Sequence, residues 1–141
     1  MEWVLERFNM KNAKPFSTPL ANHFKLSKRS YPTTNEEEKE MATVPYSSAV
    51  ESLMYTMVCT RPDTTHAVRV VCMFLSNPSK DHWETVKWIL RYLKGSSRMC
   101  LCFGGPEPIL EGYADADTAG DLDGRKSTSG FLFIFAGGAV S

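Results

Sequence analysis

The chain has 141 residues, 43% hydrophobic and 23% charged, with a formal net charge of zero. This composition excludes a disordered chain and suffices for one ordinary domain or two partial ones. Seven basic and six acidic residues lie in 1–45, seven and four in 46–105, and two and six in 106–141, so a mildly basic middle and an acidic end point to regions with different roles.

In chain order, MEWVLERFNM carries Glu2, Glu6 and Arg7 and lacks the apolar core of a signal peptide. Trp3 to Met10 reads as a short amphipathic helix. Lys11 to Pro45 contains Pro15, Pro19 and Pro32 and the acidic run Glu36 to Glu38. It is expected to be an irregular linker with one helical turn near Glu36–Met41. Ser48 and Glu51 have capping-box spacing, and Val50, Leu53, Met54 and Met57 follow at helical spacing. Arg61-Pro62-Asp63 marks a break and a restart. Ala67, Val68, Val71, Phe74 and Leu75 mark the buried face of a second helix. A third runs from about Asp81 to Lys94, with Val86, Ile89, Leu90 and Leu93 as its stripe, Trp83 joining them and Gly95 as C-cap. Lys87, Arg91 and Lys94 lie towards another face. Three helices with short joints are expected to pack as a small bundle.

Beyond Gly95 the period becomes two. Met99 to Phe103, Ile109 to Ala114 and Ser129 to Ala136 read as strands, with Gly104-Gly105-Pro106 as a loop. The last strand is apolar on both faces and calls for cover on both. Its edges are expected to be sticky.

Asp115 is expected where the second of these strands ends, a rigid position suited to metal binding or general-base work. A calcium loop fails on spacing. Starting at Asp115 puts Ala119 at position five and Lys126 at position twelve, and starting at Asp121 puts Arg125 at position five. Asp121-Leu122-Asp123-Gly124 reads as a turn. Cys59, Cys72, Cys100 and Cys102 lack zinc spacing and read as buried free thiols. Trp3, Trp83, Trp88 and Tyr92 could stack on bases, but their helical spacing favours packing. His66 reads as a helix-surface or packing residue and His82 as part of the third helix's first turn. A soluble intracellular protein with no membrane span is expected; cytoplasm and nucleus are not distinguished.

Four stretches, RFNMKNAKPFSTPL, YSSAVESLMYTMVCTRPD, HWETVKWILRYLKG and GYADADTAGDLDGRKSTSGFLF, resemble the Pol polyprotein of copia-type LTR retrotransposons. The resemblance runs from about Arg7 to Ser141, with the motifs in the family's order. It implies an α+β chain. Residues 1–105 would be a helical, thumb- or connection-like bundle from the end of reverse transcriptase. Residues 106–141 would be the first strands, an incomplete sheet, of a ribonuclease H-like domain. It further implies that Asp115 is the first catalytic carboxylate of ribonuclease H and a ligand of Mg²⁺, two ions of which act in the intact enzyme. The polymerase aspartates would lie upstream of Met1. The second and third ribonuclease H carboxylates would lie downstream of Ser141, in and beyond a motif of the type STTEAEY. A single carboxylate would hold no Mg²⁺ stably. Glu51 stands where the family usually has Gly, Thr118 where a bulkier residue is usual, and Thr64-Thr65 where a branched apolar residue is usual, a change expected to weaken the second helix's packing.

Three function classes follow. The first is a Pol fragment with no catalysis of its own, whose partner is the rest of the polyprotein. The second is a module binding RNA–DNA hybrid or DNA duplex weakly through Lys87, Arg91 and Lys94. The third is a retained protein-interaction module without catalysis.

Overall fold

The computed structural model describes every residue except 1, 25, 28–29, 100–103, 105–108, 118–127 and 140–141. The chain forms two compact units, Met1–Met99 and Cys100–Ser141, and the elements make it an α+β protein.

The first unit begins with α1 (Glu2–Arg7), which buries Val4 and Leu5. α2 (Asn35–Ala42) comes next in chain order. The Thr34 hydroxyl caps it by accepting the Glu37 N–H at 3.3 Å, and the Glu37 carboxylate accepts the Thr33 N–H at 3.0 Å. The first bond satisfies a donor that a helix start leaves unpaired, and the second ties the residue before the cap to the first turn. α3 (Tyr46–Cys59), a 3-10 turn (Pro62–Thr64), α4 (Thr65–Cys72) and α5 (Lys80–Gly95) follow. α3, α4 and α5 pack on one another. Their core contains Ala49, Val50, Leu53, Val68, Val86 and Ile89, with Trp83 packed against it. The Tyr46 hydroxyl donates to the Val71 carbonyl at 2.8 Å, tying the start of α3 to α4.

Several expectations are corrected here. α3 begins at Tyr46 with Pro45 as N-cap, so Ser48 and Glu51 lie inside the helix and form no capping box. The Ser48 hydroxyl accepts from Arg7 at 2.7 Å instead, and Glu51 is exposed. Proline at the cap already leaves that helix start with one donor fewer to satisfy. Met54 and Leu75, expected inside, are exposed, as is Trp3. The apolar stripe needed for a three-helix contact is narrower than the run of apolar residues. Cys59 is exposed and Cys72 half-buried, both as free thiols. Gly95 closes α5 as its last residue and Ser96 is the C-cap. The reason for glycine is close approach, since a Cβ there would lie 2.8 Å from the Phe16 carbonyl oxygen. Thr64 and Thr65 satisfy their hydroxyls on the carbonyls of Arg61 and Pro62 at 2.8 and 2.6 Å. Thr64 is fully buried without an orphaned oxygen, so the expected weakening from polarity is offset.

The second unit is an antiparallel sheet ordered β1 (Leu110–Asp117), β2 (Thr128–Phe135), β3 (Gly138–Ala139). Leu110 pairs with Phe135, Gly112 with Phe133 and Ala114 with Phe131. Phe133 lies against Gly112, where a Cβ would meet its ring at 3.0 Å. Ala136 was expected in the strand, but it forms the β2–β3 turn with Gly137, both at positive φ (47° and 77°). That geometry matches a tight hairpin whose twist follows the strands. The expected strand Met99–Phe103, apart from Met99, and the turn Asp121–Gly124 lie outside the described residues, as do Cys100 and Cys102.

Candidate functional site

Strand alternation places Glu111, Tyr113 and Asp115 on one face of β1. The Tyr113 hydroxyl donates to the Glu111 carboxylate at 3.3 Å, which confirms that they share it. Asp115 was expected at the strand end. The strand instead continues through Asp117, so Asp115 sits within the ladder, opposite Gly130. A Cβ built on Gly130 meets nothing within 4 Å. Asp115 is exposed, and its partner across the pair, Gly130, has no side chain.

A two-metal site needs carboxylates converging on ions about 4 Å apart. Along β1, Glu111 is four residues from Asp115, roughly 13 Å at strand rise. Among the described residues no three His, Cys, Asp or Glu side chains gather to hold a metal. The described residues therefore do not fit a Mg²⁺ site, and Asp115 is at most one ligand of one.

The basic residues of α5 have a different setting. Lys87 pairs with Glu84 one turn earlier. Lys94 donates to the Ala13 carbonyl at 2.7 Å. The Arg91 guanidinium lies over the Phe16 ring, 5.4 Å from its centroid. The Lys94 and Arg91 contacts belong to a strap formed by part of the segment expected to be an irregular linker. Phe16 stacks on Trp88 with ring centroids 3.7 Å apart, and Phe24 meets Trp88 edge-on. The Trp88 indole N–H donates to the Thr18 carbonyl at 2.9 Å, and the Phe16 N–H donates to the Arg91 carbonyl at 3.4 Å. Residues 13–24 of that segment are thus anchored along α5. Trp88 packs as its helical spacing implied, and its partners come from the strap, too far off in sequence for periodicity to show.

Sequence reasoning missed two groups. Arg61 is only 2% exposed. Its guanidinium grips the Asp63 carboxylate with two bonds of 2.8 and 2.7 Å and donates to the Ser96 carbonyl and hydroxyl at 3.2 and 2.7 Å. The Tyr92 hydroxyl donates to Asp63 at 2.6 Å. Arg61 beside it, helped by Tyr92, holds the Asp63 carboxyl below the usual range, while burial and then Asp63 push the Tyr92 phenol up. This cluster joins the start of the 3-10 turn to the end of α5. The second group is His82, which completes a capping box with Ser79. A histidine three residues after a serine was a signal that could have been read, although the motif usually carries Glu or Gln.

The chain is 70% identical over all 141 residues to the retrovirus-related Pol polyprotein from transposon TNT 1-94 of Nicotiana tabacum, and spans 11% of that protein. It is 37% identical over 130 residues to the retrovirus-related Pol polyprotein from transposon RE2 of Arabidopsis thaliana, spanning 8% of it. It is also 48% identical over 103 residues to secreted RxLR effector protein 161 of Plasmopara viticola, covering 72% of either chain. No family model matches the chain, and no solved structure does. Among the described residues, no helix is long and apolar enough to cross a membrane.

Proposed function

The chain belongs to the retrovirus-related Pol polyproteins of copia-type transposons, and from that membership we propose that it carries the junction between reverse transcriptase and ribonuclease H and performs neither reaction alone. The helical unit is the thumb- or connection-like end of the polymerase. The sheet unit is the opening of a ribonuclease H-like domain, with Asp115 as its first carboxylate. The observation that carries this reading is that, among the described residues, no three His, Cys, Asp or Glu side chains gather to hold a metal, with Asp115 opposite Gly130 and about half a strand's length from Glu111. Phosphodiester cleavage by two metal ions requires several ligands to hold them in line with the attacking and leaving oxygens. One carboxylate on a strand supplies neither the charge nor the geometry.

The test is a ribonuclease H assay on a labelled RNA–DNA hybrid with Mg²⁺ or Mn²⁺, comparing the chain with Asp115→Asn. No metal-dependent cleavage above the variant is the expected result. Cleavage by the chain that Asp115→Asn abolishes would overturn the reading.

A second reading, a retained interaction module, is favoured by one observation: the chain covers 72% of the Plasmopara viticola relative, against 11% of the tobacco one. Recovery of a stoichiometric protein partner from cells would support it. Nucleic-acid binding through Lys87, Arg91 and Lys94 would require these side chains to reach phosphates from their present partners in the strap and on α5.

A further inference from the structure

The His82 ring is fully buried at the first turn of α5, and neither reading above uses it. Its Nδ1 accepts the Ser79 backbone N–H at 2.8 Å and lies 2.7 Å from the Ser79 hydroxyl. The Ser79 side chain accepts the His82 backbone N–H in return. An acceptor at Nδ1 requires a neutral ring with its proton on Nε2. Nε2 is buried and has no hydrogen-bond partner among the described residues.

The ring also seats a distant segment. It stacks on Phe74 with centroids 4.2 Å apart, and the Tyr31 ring stands 6.1 Å from both. Tyr31 leads into α2, whose Glu40 pairs with Lys80 of α5 at 2.5 Å. A cavity of about 330 Å³ opens beside this seat, lined by Tyr31, Glu37 and Met41 on one side and Ser79, Lys80 and Asp81 on the other.

Protonation would turn Nδ1 into a donor facing the Ser79 N–H, leave the Ser79 hydroxyl oxygen as its acceptor, and place a buried charge against Phe74. Among the described residues, the charged groups around the seat are Lys80 and Asp81 from α5 and Glu37 and Glu40 from α2; the segment carrying Phe74, residues 73–78, brings none. Asp81 favours the charged ring. Lys80 opposes it but is engaged by Glu40. The Glu37 and Asp81 walls of the cavity give an imidazolium that leaves its seat an acidic surface to face.

We propose that His82 is an acid-sensitive latch: neutral, it closes the start of α5 and seats Tyr31 and α2; protonated, it moves towards the cavity and releases both. Burial holds the ring's pKa below the ordinary histidine value. The sign follows. The unfolded chain binds the proton first, so the latch is fully effective above about pH 6.5 and weakens as the pH falls towards the folded value.

The test is an NMR titration of the full chain from pH 7.5 to 4.5, following the His82 ring and the backbone amides. The expected result is a His82 midpoint below about 6.5, shared by the amides of Ser79–Trp83 and of Thr33–Met41. Amide exchange in α2, corrected for its intrinsic pH dependence, should then accelerate by up to about tenfold for each pH unit separating the folded and unfolded midpoints. His82→Gln keeps an acceptor for the cap and removes the transition. Tyr31→Ala keeps the ring's titration and uncouples α2 from it. A His82 midpoint at or above 6.5, or a depressed midpoint with silent α2 amides, would overturn the proposal. Both readouts are independent of nuclease activity.

Discussion

In the helical unit, Val50, Val71, Val86, Ile89 and Leu90 have no exposed surface, whereas in the sheet unit Phe131 is 68% exposed and Phe133 and Phe135 are 39% exposed each. The contrast follows from geometry. A helix has one apolar stripe, and two neighbours from the same short stretch of chain can cover it. β2 is apolar on both faces, and such a strand needs a layer on each. β1 covers neither face of β2, because strands pair edge to edge. Across the pair, Phe131 and Phe133 find only Ala114 and Gly112 opposite them, and Phe135 finds Leu110.

The largest effect that would sharpen this contrast is expected in the helical core. Leu90→Ala removes a fully buried side chain and should cost about 2–5 kcal/mol in thermal or urea unfolding. Its counterpart, Phe131→Ser, should cost under about 0.5 kcal/mol, since exposed positions tolerate change, and should reduce self-association in sedimentation. Equal destabilisation by the two would break the comparison.

Next comes the Arg61 cluster. Arg61→Ala leaves Asp63 and the Ser96 carbonyl short of a partner. Since the Asp63 side chain is 37% exposed, solvent screening holds the expected cost to about 1–3 kcal/mol. The depressed Asp63 pKa makes the pair's contribution complete above the ordinary carboxylate value of about 3.9 and lost as the pH falls through the folded value. The variant should lack that acid limb in a pH series of melting temperatures.

The smallest effect is expected in the β2–β3 turn. Ala136 sits at φ 47°, where a Cβ is unfavourable and Asn is better tolerated. Ala136→Asn should stabilise the turn by about 0.5–1 kcal/mol, read as slower amide exchange at Phe131–Phe135. No change would mean that the hairpin closes without help from its turn.

Legibility in the sequence followed the range of each interaction. Val86, Ile89, Leu90 and Leu93 were readable because their burial repeats within one helix. Tyr113 was readable as a strand residue, but the strand's end was not, since alanine and aspartate alternate through Asp117 without a stop and Asp115 was expected at the end. The capping box was misplaced from Ser79–His82 to Ser48–Glu51 because the motif's usual residues stood at the wrong helix. Arg61 escaped because a buried arginine depends on Asp63, Tyr92 and Ser96 meeting it, and Ser96 is 35 residues away.

By itself the sequence determined the order of the three core helices and the two long strands, the three-helix core and membership of a Pol family, because periodicity and long word matches are local properties. Only the tertiary structure decided that Lys94 and Arg91 meet the Ala13–Phe16 strap, that Gly95 is small to admit the Phe16 carbonyl, and that Asp115 faces a glycine. Each of these rests on atoms brought together by chain closure, and no spacing along the sequence encodes such contacts.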